Sequence, residues 1–434
     1  MNKILFLFII LLFISNCSLN KNSKFWTKSE KIVSEKTEDY KEVFPTEEAL
    51  KKEFNSNLKI KLTSKINKNT SVNNYLNNNG RLDIDGSLKK SSRYKFSKID
   101  NFSQYQPELS FLNDDIIFFD NKGSILRFNN ESKIIWKKNY YSKSEKKLKP
   151  ILSFANDKNL LVIFDNISKF YAVNINSGDL VWSKQNTHPF NSQIKIFDNK
   201  IYSVDMNNVL RCFSLKDGSE IWSFKSENTF LKSKKRNSLL IANNYVYFNN
   251  SLGDITAVDA YNGKLIWQTP TQGGEIYENA FSLITSDLVI KNDEIIFSNN
   301  RNEFFSINSK NGLVNWKQEI NSEVRPVYYN NLIFTVSNEG YFFVIDSKLG
   351  NILRITDIFN IFENKKRKKV KPVGFVINSE KIFLSTNNGR LLIVDIRSGK
   401  IEKTLKIDNE KISRPFVFDK KILLVKNNSI IRLN

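Results

Sequence analysis

The chain has 434 residues, with 66 Lys and Arg against 45 Asp and Glu, for a formal net charge of +21 at neutral pH. Its one histidine, His188, excludes multi-histidine metal sites and leaves any histidine-based triad a single residue to run through. The two cysteines, Cys17 and Cys212, build no disulfide framework. Lysine and asparagine are spread along the whole chain rather than gathered in one stripe, so no nucleic-acid partner is expected.

The first element is an address. Lys3 supplies a positive start, and residues 4–14 (ILFLFIILLFI) form an apolar run too short to span a bilayer but right for a signal-peptide core. It leads into residues 14–17 (ISNC), which resemble a bacterial lipobox. Asn16 departs from the usual small residue there. Residues 1–16 therefore read as a signal peptide and Cys17 as the site of lipid attachment. Ordinary signal cleavage beside an incidental cysteine is the alternative. Ser18, where an aspartate would favour inner-membrane retention, points to the periplasmic face of the outer membrane. Residues 17–80 are polar, rich in Lys, Asn and Ser, and read as a mostly disordered lipidated tether. One short helix is expected over residues 46–54 (TEEALKKEF), acidic first and basic last.

From residue 81 to 434 a strand-turn-strand pattern recurs. Residues 126–136 (LRFNNESKIIW) are a loose copy. Residues 172–182 (AVNINSGDLVW), 212–222 (CFSLKDGSEIW), 257–267 (AVDAYNGKLIW) and 306–316 (SINSKNGLVNW) are closer ones. Two later copies, 344–354 (VIDSKLGNILR) and 394–403 (VDIRSGKIEK), keep the glycine and lose the ring. The tryptophans Trp136, Trp182, Trp222, Trp267 and Trp316 recur at a period of roughly forty to fifty residues, which marks a repeat architecture. Each unit reads as four short strands. In the sixth they are residues 325–329, 332–337, 341–346 and 351–356, with turns at Asn338–Gly340 and Gly350. Glycine at the turn accepts a positive φ, and the tryptophan on the outermost strand is placed to pack between blades, a structural role. Proline opens the innermost strand at Pro107, Pro150, Pro189, Pro326, Pro372 and Pro415.

The chain ends in residues 422–426 and 429–433, inner strands of an eighth unit without its outer one. Residues 81–86 or 92–99 are the candidates for the missing strand. The fold class is thus an all-β, eight-bladed propeller of four-stranded antiparallel blades, closed by strands from both termini. Seven blades is the alternative count. Cys212 reads as a small buried hydrophobe, His188 as a loop residue, and the basic run 365–369 (KKRKK) as a solvated loop between blades six and seven.

The lipobox, the tether and the repeats, of which 257–267 fits best, resemble the BamB family, the propeller lipoproteins of the outer-membrane β-barrel assembly (BAM) machine. The resemblance covers the signal region and residues 100–434. It implies a non-catalytic scaffold, with no cofactor or metal, that binds the periplasmic domains of BamA. Nascent outer-membrane proteins are further partners it implies. Counted by blades, the family's partner contacts fall on the loops entering blades four and five, at Leu231, Lys232, Ser286 and Asp287. Two other readings stay open. One is a propeller scaffold for another envelope complex. The other is a quinoprotein dehydrogenase, which shares the repeat but needs calcium, a catalytic carboxylate and, in many members, an adjacent cysteine pair that this chain lacks.

Overall fold

The computed structural model describes residues 50–62, 67, 69–70, 75–84, 88–100, 102–105, 107–227, 236–271 and 283–434. The chain divides into two units, Met1–Glu47 and Glu48–Asn434, and the second holds everything that follows. Among the described residues the strands form eight four-stranded antiparallel sheets, the blades of a propeller. In seven blades the strands are consecutive. Blade two runs from the axis outward as Leu152–Asp157, Leu160–Asp165, Lys169–Asn174 and Leu180–Gln185. Blade eight takes Phe416–Phe418, Lys421–Lys426 and Ser429–Leu433 from the end of the chain and its outermost strand, Lys90–Lys95, from near the start. Backbone pairing from Lys90–Leu433 to Lys95–Ser429 closes the ring. Eight blades closed from both ends is thus the architecture. Of the two candidate strands, the segment 92–99 contains the pairing residues, whereas Arg81 and Leu82 pair elsewhere, with Ile377.

The middle strands lie between neighbouring blades on both faces, so they are apolar runs without alternation; Phe342–Ile345 is buried throughout. The outermost strands are solvated, and in Leu180–Gln185 only Trp182 is buried. One interaction repeats around the ring. Trp182 Nε1 donates to the carbonyl of Leu215 in the next blade at 3.1 Å, Trp267 to Ser309 at 2.8 Å and Trp316 to Ser347 at 2.8 Å. The same ring covers the turn glycine of that next blade. A Cβ built on Gly218 would lie 2.7 Å from Trp182, one on Gly263 2.5 Å from Trp222, and one on Gly350 2.5 Å from Trp316. The glycine is therefore required twice over, by its positive φ and by the ring above it. In every blade the register between the two outer strands shifts by one residue beside this position, as at Ala172/Val173 and Lys90/Ser92.

Blade six has Arg354 where the ring would be, and Arg354 is wholly buried. Its Nη2 donates to the Ile396 carbonyl at 2.7 Å, the carbonyl in blade seven that corresponds to the tryptophan acceptors. Its Nη1 donates to the carbonyls of Arg397 and of Leu58, the latter at 3.0 Å. Burial lowers the Arg354 pKa to about 10.

Leu58 belongs to a segment that composition placed in the tether. Residues 50–58 instead run along the outer edge of blade six, where Phe54 and Ile355 exchange both backbone hydrogen bonds at 3.1 and 2.8 Å. Ile60 is buried in the apolar cluster between blades six and seven. The described part of the expected helix, residues 50–54, is not helical, and Phe54 bridges to Ile355. The exposed strand edge offers backbone partners that outweigh the helix propensity of these residues. Gly350→Ala is expected to lower the unfolding free energy by about 2–4 kcal/mol, through a strained φ and a clash with Trp316. Urea unfolding followed by tryptophan fluorescence measures it; a change below about 0.5 kcal/mol would contradict the ring-over-glycine contact.

Candidate functional site: the charged axis and the face around it

All innermost strands begin on one face of the propeller, here the entry face, and end on the opposite, exit face. The residues just before them converge on the axis. Pro107 precedes Glu108 at blade one, and Arg325 and Arg414 stand immediately before Pro326 and Pro415 at blades six and eight. Arg236 and Asp287 arrive from the loops entering blades four and five. Glu108 accepts from Arg236 Nη2 at 2.8 Å and from Arg414 Nη2 at 2.7 Å. Asp287 accepts from Arg325 Nε at 2.7 Å, and Arg325 reaches Glu108 at 3.8 Å. The five side chains are 10–24% exposed. Gly374 lets Arg414 pass, since a Cβ there would lie 2.5 Å from the Arg414 Cβ.

Burial alone would raise the Glu108 pKa, but Arg414, Arg236 and Arg325 outweigh it and hold the carboxyl at about 2. Arg414 is lowered to about 10 by burial and by Arg325. Lys195, at the start of the blade-three inner strand, is lowered to about 7, again by burial and then Arg325.

The exit end of the axis is filled by the chain itself. Thr70 and residues 75–82 form hydrogen bonds to the inner strands of blades four to eight. The Ile241 amide donates to the Tyr75 carbonyl, Ile290 to Leu76, Leu82 to the Ile377 carbonyl and Thr70 to that of Val417, at 2.7–3.1 Å. Asn77 reaches deepest. Its Nδ2 donates to the carbonyls of Leu239 and Leu288 at 3.1 and 3.0 Å, and its Oδ1 accepts from Lys195 Nζ at 2.7 Å. Between Asn79 and the Arg325–Arg414 pair there remains a cavity of about 20 Å³, room for a single water. Among the described residues no group of three or more His, Cys, Asp or Glu is placed to hold a metal ion.

Cys17, Leu231 and Lys232 lie outside the described residues. Ser286 is buried, its Oγ accepting from the Ser298 amide at 3.0 Å and donating to the Asp287 carbonyl at 3.1 Å. Asp287 faces the axis. Its carboxylate, expected as an acidic partner contact, is engaged by Arg325. Trp136, Trp182, Trp267 and Trp316 are buried between blades and Trp222 is half-buried there. His188 is bonded to Thr187 and Asn207, and burial pushes the Cys212 thiol up to about 12. The axial charges were not singled out from sequence. The available signal was an arginine directly before the blade-opening proline, at 325–326 and again at 414–415.

The profile of the family described as outer membrane protein assembly factor BamB matches residues 121–356, more than half of the chain. Comparison with curated protein sequences gives no match. Among solved structures, BamB from Moraxella catarrhalis superposes with a TM-score of 0.64 at 12% identity, over 80% of this chain and 100% of that one. The quinohemoprotein alcohol dehydrogenase from Comamonas testosteroni gives 0.60 at 10% identity, over 80% and 76%. The computationally designed protein Ika8 gives 0.59 at 9%, over 78% and 99%. At such identities the likeness is one of fold.

Glu108→Gln takes the carboxylate from Arg236 and Arg414 and leaves Asp287 to face three axial arginines, and is expected to destabilise the propeller by about 3–5 kcal/mol at neutral pH. Because the Glu108 pKa falls from 4.5 to about 2 on folding, its contribution is complete above pH 4.5 and lost as pH drops toward 2. The variant should lack that acid limb. Lys195 acts in the other window: with a folded pKa near 7 against 10.5 unfolded, stability rises from pH 7 to 10.5, and Lys195→Met should flatten the rise. Denaturant titrations across pH read both effects.

Proposed function

The chain belongs to the BamB family of outer-membrane protein assembly factors, and from that premise we propose that it is a non-catalytic scaffold lipoprotein of the BAM complex. In this reading it binds the periplasmic domains of BamA and assists folding and insertion of β-barrel proteins. It is held at the periplasmic face of the outer membrane by acyl chains on Cys17. The observation that carries the reading is the family match across the central blades.

A scaffold needs a rigid body and adaptable surfaces. Rigidity comes from the ring of tryptophans and from the axis, which ties six blade entrances or inner strands together. The adaptable surface in this reading includes Leu231 and Lys232, which stand a few residues before Arg236 of the axis in sequence. An apolar anchor rimmed by charge suits a protein interface of moderate size. The outermost strands of blades two and four also leave an edge and exposed aliphatic pairs, Leu180 and Val181 at 45% and 51% and Leu265 and Ile266 at 51% and 40%. Residues 50–58 pair with the corresponding edge of blade six. Nascent barrel strands are the partners such edges fit.

Tagged full-length chain, recovered from detergent-solubilised outer membranes, is expected to bring down BamA and the other assembly lipoproteins. Cys17→Ala should reduce recovery by removing the anchor that concentrates the partners. Lys232→Glu should weaken capture of BamA by the purified chain roughly tenfold while leaving unfolding unchanged; Asp287 is unsuited to this test because its loss breaks the axis. Recovery of a different envelope complex would overturn the assembly reading in favour of another scaffold.

A further inference from the structure

Among the described residues the densest basic run, 365–369, lies at one corner of the entry face. Between the outermost strand of blade six, Ile352–Asp357, and the innermost of blade seven, Pro372–Ile377, the chain makes a short helix, Asn364–Arg367. Around it Lys365, Lys366, Lys368 and Lys369 are all exposed. Of these, only Lys366 meets a carboxylate, that of Glu363, and both of those side chains are more than two-thirds exposed. Such a run is by itself a solvated loop. What distinguishes it is the element built against it.

Residues 50–54 join the propeller at this same corner, and one side chain serves both. Tyr341 Oη donates to the Lys51 carbonyl at 2.7 Å, while the Arg367 guanidinium lies over the Tyr341 ring at 5.3 Å from its centroid. Asp357 links them again: its carboxylate takes Arg367 Nη1 at 2.7 Å, and its amide donates to Glu53 Oε1 at 3.0 Å. Lys51 and Lys52 are exposed beside them. The first described residues, 50–54, thus meet the propeller beside this basic run, and Arg367, Tyr341 and Asp357 hold the two in register.

We propose that this corner is a docking surface for anionic lipid headgroups, so that the propeller rests against its membrane on the blade six–seven edge. The proposal deepens the lipoprotein reading and rests on it for the membrane in question. Clustered lysines draw a protein toward anionic lipid, each contributing about 1 kcal/mol near the surface, and the attraction fades within a Debye length. Lys51 follows Cys17 by 34 positions in sequence, so an anchor there confines this corner to the neighbourhood of the membrane more closely than the rest of the body, and the short-range attraction acts when the two meet.

The test uses the purified mature chain carrying Cys17→Ala, so that acylation plays no part. Sedimentation with vesicles of phosphatidylglycerol and phosphatidylcholine is compared with vesicles of phosphatidylcholine alone. The expected result is binding to the anionic vesicles only, released by high salt. It should weaken at least about tenfold in Lys365→Glu/Lys366→Glu/Lys368→Glu/Lys369→Glu. Reversal of four exposed lysines in exit-face turns, Lys216, Lys264, Lys310 and Lys348, should change it by less than about twofold. Circular dichroism checks that both variants are folded. Equal loss in the two variants would overturn the proposal, since net charge and not the corner would then act. So would binding that the first variant retains, or no binding to anionic vesicles at all. Palmitate labelling of the wild-type chain in cells reads the anchor separately. Absence of label with vesicle binding intact would sink the lipoprotein reading and leave the corner's affinity standing; label without vesicle binding would do the reverse.

Discussion

A tryptophan laid over the next blade's glycine is the contact on which this propeller depends. Among the described residues no strand of one blade pairs with a strand of the next, and backbone bonds between blades are confined to the entrances, as where the Asn237 amide donates to the Asn191 carbonyl at 2.7 Å, so the ring is held mainly by side chains between sheets. Each tryptophan supplies a large apolar area, on the order of a few kcal/mol, and in three blades its indole N–H also reaches a fixed carbonyl of the neighbour. Glycine makes the close approach sterically possible. The outermost strand is otherwise solvated, so a single residue per blade carries the outer half of the joint.

Where that contact lapses, the chain compensates with charge and with an additional segment. Arg354 takes the place of the ring and finds the same acceptor carbonyl, but a buried guanidinium needs more than one partner. Leu58 provides another carbonyl, which ties residues 50–58 to the blade with the substitution. Further along, Thr70 and residues 75–82 link the inner strands of five successive blades, and Glu108 and Asp287 gather three arginines at the other end of the axis. The N-terminal stretch is therefore part of the folded body from about residue 50.

For a scaffold these features divide the labour. The axis and the tryptophan joints stiffen the disc, whereas the entry-face loops and the solvated blade edges vary without disturbing it. Asp287 reaches the axis because the segment entering blade five turns inward, as do the segments that bring in Glu108, Arg236, Arg325 and Arg414.

The repeat was legible from sequence because its signals are local. A turn glycine, a ring at constant spacing from it and a proline at six of the eight blade entrances are all enforced by backbone geometry within one unit. Eight blades and closure by both termini followed from counting them, down to an eighth unit that lacked its outer strand. The axial cluster was not legible, because its ion pairs join residues 38 to 306 positions apart, and only ring closure brings them within 4 Å. Nor was the placement of residues 50–84. Their polar composition describes a chain with little to bury, yet their partners are backbone groups at a blade edge and along an axis. Such partners exist only once the propeller has formed, and composition does not register them.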